Sequence, residues 1–131
     1  MTDKYILDGR VPLKCNNLTE WARWFTEEDR HVANDWINGV HVSTVFLGID
    51  HSFPCHENHG RGPILFETMI FGGVHDGWQE RCSTWEQAED MHQRACNVVR
   101  NTGLIYRIRG WISDKKRSLT HAFRLFRLRY F

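Results

Sequence analysis

The sequence predicts an α+β fold in which a largely antiparallel sheet packs against two helices. The pairs Asp8-Gly9 and Asn38-Gly39 each separate two short apolar stretches, as the turn of a β-hairpin does. A capping box, S-x-x-E at residues 83–86, marks the start of a helix. The chain has 131 residues, 41% hydrophobic and 25% charged, which suits one folded domain. These observations predict strands and helices packed in layers.

The first two elements follow from local signals. A hairpin is expected over residues 5–13, and Pro12, which lacks an amide hydrogen, places it at the edge of a sheet. Asn17 followed three residues later by Glu20 is a second capping box, which predicts a helix near residues 18–27.

The middle of the chain predicts the centre of the sheet. A hairpin over residues 32–49 and a strand over 64–71 are rich in β-branched and aromatic residues. Neither alternates cleanly between apolar and polar residues, so both faces of these strands are expected to be covered. Beyond the helices, the second face is expected to lie under the C-terminal segment or under a second subunit of a homodimer.

The last third of the chain starts with a helix over residues 84–100. After the helix breaker Gly103, residues 104–109 have the pattern of a strand, and residues 104–130 as a whole are compatible with strand or helix. We expect a core domain over residues 1–103 and a basic C-terminal extension over 104–131, packed on the core or extending it.

The charge is distributed unevenly along the chain. Residues 107–131 carry eight basic residues and one acidic residue, a net charge of +7, and residues 1–106 carry −6. Basic residues interleaved with aromatic ones suit binding to phosphate groups and bases. The alternative is that the arginines pack against the acidic body. The candidate nucleic-acid or partner-binding residues of this extension are Arg107, Arg109, Arg124, Arg127 and Arg129.

Three of the six tryptophans do not share the periodic spacing of the apolar residues that are expected to form the core. These are Trp24, Trp78 and Trp111, and we expect them to contact a partner, because tryptophan is enriched at the energetic centres of interfaces.

A loop rich in histidine and cysteine follows the second hairpin. His51, Cys55 and His59 are spaced four residues apart, and Asp50 or His56 can complete a set of four ligands. Thiolate and imidazole are zinc ligands, so the loop is a candidate zinc site. No second pair of ligands of the zinc-finger type is present, and the alternative is a solvated polar loop. We expect no cofactor other than this zinc ion.

Glu67 lies in the middle of a predicted strand. A carboxylate on a covered strand must be paired or have a raised pKa. With His51, His75 or Asp76 it would form an acid–base pair, so Glu67 and His51 are the candidate catalytic residues. The alternative is that Glu67 pairs with a basic residue or faces solvent.

Three segments carry a resemblance to a known group of proteins. They are VSTVFLGIDH at residues 42–51, LFETMIFGG at 65–73 and STWEQA at 83–88. Over about residues 4–100 the chain resembles a family of small phage and prophage proteins, which has no assigned activity. The loop at residues 52–63 and the basic stretch 101–131 depart from the family pattern. The resemblance implies a phage accessory protein that acts on a host protein or on a host defence component.

These observations favour a non-catalytic binding protein in the host cytoplasm. The sequence contains no apolar run long enough for a membrane span and no secretion signal. Two alternatives remain: nucleic-acid binding through the basic C-terminus, and a small metal-dependent enzyme that uses the histidine loop. A third hypothesis is capture of a small ligand on a sheet face closed by dimerisation.

Overall fold

The structure is a computed structural model that describes residues 2–52 and 62–130, with side chains up to residue 109. It confirms the α+β class. The chain forms two compact units, Met1–Val99 and Arg100–Phe131. The elements, in chain order, are β1 (Tyr5–Asp8), β2 (Val11–Lys14), α1 (Leu18–Glu27), β3 (His31–Ile37), β4 (Val40–Phe46), β5 (Phe66–Phe71), β6 (Gln79–Cys82) and α2 (Trp85–Tyr130).

The strands form two antiparallel sheets. Strands β3, β4, β5 and β6 lie in this order in a four-stranded sheet. The first hairpin, β1 and β2, forms a two-stranded sheet of its own, which differs from the expected edge position. It is attached to the end of β4 through Tyr5, whose backbone N–H donates to the Gly48 carbonyl at 2.9 Å. Strand β6 was not expected, because its sequence Gln-Glu-Arg-Cys has no apolar alternation.

One face of the four-stranded sheet, here called the inner face, carries the core of the first unit. Burial alternates along β4 and β5, and the residues of the inner face pack with the first turns of α2. This alternation differs from the expectation that both faces are covered. The fully buried inner-face residues are Val42, Thr44, Phe46, Phe66, Thr68 and Ile70, and those of α2 include Ala88, Met91, His92, Ala95 and Cys96.

The opposite face of the sheet, here called the outer face, contains residues that are half-buried or exposed. The register of the strands defines it, because directly opposed residues point to the same side. Its members are Asn34 and Trp36 of β3, His41, Ser43 and Val45 of β4, Glu67, Met69 and Phe71 of β5, and Gln79 and Arg81 of β6.

Helix α2 begins at Trp85, and its capping box lies one residue after the predicted one at 83–86: the Thr84 hydroxyl accepts from the Gln87 N–H, and the Gln87 side chain accepts from the Thr84 N–H. The helix continues to Tyr130. A strand over residues 104–109 is therefore wrong, and the helical alternative for 104–130 is confirmed. Gly103 has no positive φ, so it does not form the left-handed turn that ends many helices. A single glycine within a helix costs only about 1 kcal/mol. No helix in the part of the chain that the structure describes is long and apolar enough to cross a membrane.

Helix α1 is fixed at both its start and its inner side. The Asn17 side chain accepts hydrogen bonds from the backbone N–H groups of Thr19 and Glu20, as the capping box predicts. The indole of Trp21 donates to the Gly48 carbonyl at 2.9 Å. Gly48 has a φ of +72°, and a Cβ atom added there would lie 3.1 Å from the ring of Phe25. The close approach of α1 to the end of β4 therefore requires glycine at position 48.

We predict that Gly48→Ala destabilises the protein more than Gly9→Ala. Both glycines have a positive φ, which costs an alanine about 1–2 kcal/mol. An added Cβ meets nothing within 4 Å at Gly9, whereas Phe25 must move at Gly48. Urea denaturation of both variants measures the difference. Equal losses of unfolding free energy would show that α1 does not pack closely on Gly48.

Candidate functional site

A chain of polar side chains crosses the core between the sheet and α2. The hydroxyls of Thr68 and Thr44 lie 2.6 Å apart, and the Thr44 hydroxyl lies 2.8 Å from His92 Nδ1. On the other side of the ring, His92 Nε2 lies 2.9 Å from the carboxylate of Asp35. The thiol of Cys96 lies 3.8 Å from the same carboxylate oxygen.

The helical repeat of α2 and the pairing of strands β3, β4 and β5 bring these residues together. His92 and Cys96 are four residues apart, so they lie one turn apart on the same side of α2. Thr44 and Thr68 are directly opposed in β4 and β5. Asp35 opposes Val42, which places it on the inner face of the edge strand β3.

In a neutral His92 ring, the hydrogen bonds determine which nitrogen carries the proton. An ionised carboxylate only accepts hydrogen bonds, so Asp35 requires a proton on Nε2. Nδ1 then accepts the hydrogen bond from Thr44, and Thr68 donates to Thr44. Among the described residues, no buried side-chain nitrogen or oxygen lacks a partner.

The order Thr44, His92, Asp35 resembles the hydrogen-bonded order of a nucleophile, a base and an acid in hydrolases. Thr44 is fully buried, however, so a substrate cannot reach its hydroxyl. The arrangement therefore does not support nucleophilic catalysis.

The same residues form a cluster of metal-ligand type. Among the described residues, one group of three side chains could hold a metal ion. It consists of Asp35, His92 and Cys96, whose potential ligand atoms all lie within 4.8 Å of one another. His92 and Cys96 are buried, and the side chain of Asp35 is 50% exposed. This cluster was missed from the sequence because Asp35 is 57 residues from His92. The spacing of His92 and Cys96 was the one available signal.

Part of the histidine loop, including Cys55, His56 and His59, lies outside the described residues. The zinc prediction for His51, Cys55 and His59 therefore stays a prediction. Within the described part, His51 Nδ1 donates to the carbonyl of Ile49 at 2.8 Å. Nε2 is then the ring nitrogen that carries no proton when the ring is neutral.

Asp50 fixes both ends of this loop. Its carboxylate accepts backbone hydrogen bonds from Ser52 at 2.8 Å and from Ile64 at 2.9 Å. Burial raises the pKa of Asp50, but these hydrogen bonds, together with the charge of His51, outweigh it and lower the pKa below the usual value of 3.8.

Glu67 lies on the outer face and is paired. Its carboxylate accepts hydrogen bonds from Arg81 at 2.6 Å and from Gln79 at 2.7 Å, and its side chain is 13% exposed. Asp76, a predicted acid–base partner of Glu67, accepts a hydrogen bond from the backbone N–H of Gly72. The contacts of Glu67 match the structural alternative, and a catalytic role for Glu67 and His51 stays a prediction.

A row of three stacked rings crosses the outer face. Trp36 stacks on His41 with 4.5 Å between ring centroids and 9° between planes. His41 stacks on Phe71 at 5.5 Å, and its Nε2 is hydrogen-bonded to the side chain of Asn34. Trp36 is 70% exposed and Phe71 is 45% exposed. We call these three rings the aromatic row. The sequence contained a signal for it, because the Asn38-Gly39 turn sets Trp36 opposite His41.

The other expected partner residues have different positions. Trp78 is half-buried and packs against the core cluster of Val42 and Ile70. Trp24 packs edge-on against Phe46 at 5.6 Å, so it belongs to the core. In the unit Arg100–Phe131, Arg107 and Arg109 are exposed on α2. The side chains of Trp111, Arg124, Arg127 and Arg129 lie outside the described ones.

Comparisons of the chain with protein-family models, with curated proteins and with solved structures gave no match.

We predict that Thr44→Val destabilises the protein by about 1–3 kcal/mol, because it leaves Nδ1 of the buried His92 without a partner. Thr68→Val is the matched control, since Thr44 then keeps its bond to His92, and we expect a smaller loss. Thermal and urea denaturation measure both variants. A larger loss for Thr68→Val would contradict the assigned order of hydrogen bonds.

We predict that Asp50→Ala costs about 1–2 kcal/mol at neutral pH, because two backbone N–H groups lose a charged acceptor. A lowered pKa in the folded state stabilises the protein above the unfolded pKa, and this contribution is lost as the pH falls through the folded value. The difference from the wild type should therefore be constant above about pH 5 and shrink below about pH 4. Urea midpoints between pH 3 and pH 7 test this, and a difference that does not change over that interval would contradict it.

Proposed function

We propose that this protein is a non-catalytic binding protein whose aromatic row docks on a partner protein. The observation that carries the proposal is the row itself: Trp36, the most exposed of its rings, stands on an ordered sheet surface. An exposed indole costs solubility, and tryptophans of this kind are the residues that contribute most to protein interfaces.

The row is held in place before any partner arrives. Trp36, His41 and Phe71 lie on three neighbouring strands, and Asn34 holds the imidazole of His41 from the side. Rings that are already ordered lose little conformational entropy on binding. Val74, 64% exposed in the turn after β5, adds to the exposed apolar residues at this end of the strand.

The charge of the first unit favours a partner with a basic surface. Residues 1–99 carry eight basic and 15 acidic residues, a net charge of −7. Complementary charge accelerates the encounter between two proteins. Stacked aromatic rings on a sheet also suit single-stranded nucleic acid, but an acidic body repels phosphates. A basic protein surface is therefore the better occupant for the aromatic row.

The resemblance to phage proteins supports a host protein as the partner. A phage accessory protein that acts in the host cytoplasm meets host enzymes and defence components, and a preformed binding face suits such an encounter. In this proposal the protein blocks or redirects its target by occupying a surface, with no chemical step.

A separate observation favours a second candidate function. In the unit Arg100–Phe131, the residues from Arg107 onwards have a net charge of +7 and lie on one helix. A basic helix binds nucleic acid through phosphate contacts, and its affinity falls steeply with salt. Oligonucleotide binding that requires residues 107–131 and weakens between 50 and 200 mM salt, by about tenfold or more, would support this second function.

We predict that Trp36→Ala reduces partner capture at least about tenfold, a loss typical of an interface hot spot. The full chain, carrying a photo-crosslinker at position 74 in the exposed turn after β5, is used to capture proteins from a bacterial lysate, and the captured protein is purified for titration. Leu18→Ala is the matched control, because Leu18 is 62% exposed and lies on α1.

The proposal is supported if the purified partner has a basic surface and binds the control as tightly as the wild type. It is contradicted if Trp36→Ala binds with unchanged affinity. It is also contradicted if the crosslinked species is a second copy of this chain, which light scattering would show as a homodimer.

A further inference from the structure

We propose that Asp35, His92 and Cys96 bind a divalent transition metal ion of the zinc class. The three side chains supply a carboxylate oxygen, an imidazole nitrogen and a sulfur atom. This mixed set suits zinc, which accepts oxygen, nitrogen and sulfur ligands in a tetrahedron. The site would lie between the edge strand β3 and the third and fourth turns of α2, and it is separate from the aromatic row.

The distances fit such an ion. Asp35 lies 2.9 Å from His92 Nε2 and 3.8 Å from Cys96 Sγ, and all three ligand atoms lie within 4.8 Å of one another. In a tetrahedron with bonds of about 2.0–2.3 Å, the ligand atoms are roughly 3.3–3.8 Å apart. Side-chain movements of about 1 Å are therefore sufficient to coordinate the metal.

The surroundings of His92 are those of a metal ligand. A ligating histidine almost always uses its second ring nitrogen to donate to an oxygen atom, which fixes the ring. In this protein Nδ1 faces the Thr44 hydroxyl at 2.8 Å, and Thr44 is itself held by Thr68 at 2.6 Å. Metal binding at Nε2 moves the ring proton to Nδ1. The two hydroxyls accommodate this change by rotating, so that Nδ1 donates to Thr44 and Thr44 donates to Thr68.

The site has an entrance and an attracting field. His92 and Cys96 are buried, whereas half of the Asp35 side chain is exposed, so an ion can arrive from the Asp35 side. A cleft of about 490 Å³ adjoins His92, and it is lined in part by Glu86, Glu89 and Asp90. Acidic groups along a cleft raise the local concentration of cations. Three protein ligands with an open side leave a fourth position for water or for a partner's ligand atom.

The chain offers matched controls for each type of ligand. Burial raises the pKa of the Cys82 thiol to about 11, so Cys82 stays protonated at neutral pH and is a poor ligand. Asp3 is half exposed, pairs with Lys14 and does not line the cleft beside His92. Cys82→Ser and Asp3→Asn therefore change the same residue types away from the proposed site.

The test is titration of the reduced, metal-free full chain with Co²⁺ and then Zn²⁺. We expect one equivalent of Co²⁺ to produce tetrahedral visible bands and a thiolate charge-transfer band, which Zn²⁺ displaces. Cys96→Ser should abolish the charge-transfer band. Asp35→Asn should weaken Zn²⁺ binding at least about 10-fold, the loss found even for groups that only orient a ligand. Cys82→Ser and Asp3→Asn should match the wild type, and circular dichroism of each variant verifies that it is folded.

Three results would overturn the proposal. The first is the absence of stoichiometric Co²⁺ binding by the wild type. The second is a charge-transfer band that persists in folded Cys96→Ser and is lost in His59→Ala, which would assign the metal to the histidine loop. The third is a Zn²⁺ affinity of Asp35→Asn equal to that of the wild type. This affinity can be measured even if Cys96→Ser does not fold, because Asp35 is half exposed and its substitution leaves the core intact.

Discussion

His92 is the constraint on which the arrangement of α2 and the sheet depends. Apolar contacts of Ala88, Met91 and Ala95 tolerate small sliding of a helix over a sheet. A buried imidazole does not, because either nitrogen left without a partner costs about 1–3 kcal/mol. The ring is hydrogen-bonded to Thr44 on one strand and to Asp35 on another. Only one placement of the helix on the sheet therefore gives both ring nitrogens a partner. That placement brings Cys96 to the same carboxylate.

Strand β3 connects the two proposed sites. Consecutive residues of a strand point to opposite faces, so Asp35 lies on the inner face beside His92 while Trp36 lies on the outer face in the aromatic row. An edge strand held by one neighbouring strand moves more easily than a central one. An ion bound at Asp35 would therefore stiffen the strand that presents Trp36. The acidic charge of residues 1–106 favours both a metal ion and a basic partner.

Local sequence signals predicted the elements whose causes are local. Asn38-Gly39 specifies a turn, and the caps at Asn17 and Thr84 specify helix starts through hydrogen bonds of their own side chains. The second cap lies one residue after the predicted Ser83. Strand β6 depends on pairing with β5, so its polar sequence carried no signal. Gly103 is tolerated within α2, which no local pattern showed.

The candidate site was harder to predict, because its residues meet only through tertiary packing. Cys55, His56 and His59 are close together in the sequence, which is why the sequence predicts them as metal ligands. Asp35 and Cys96 are 61 residues apart. His92 shares a face of α2 with Ala88 and Ala95, and a buried histidine must have partners. The identity of those partners depends on the register of β3 and β4.

The state of the His92 ring tests the account most directly. Long-range proton–nitrogen NMR spectra of the imidazoles, recorded before and after one equivalent of Zn²⁺, report which nitrogen carries the proton. The account predicts one tautomer in the metal-free protein, with a slowly exchanging proton on Nε2, and its transfer to Nδ1 when the ion binds. The account would be contradicted by a His92 ring that populates both tautomers and exchanges its proton as fast as an exposed imidazole. It would also be contradicted if the His92 signals did not change on addition of Zn²⁺.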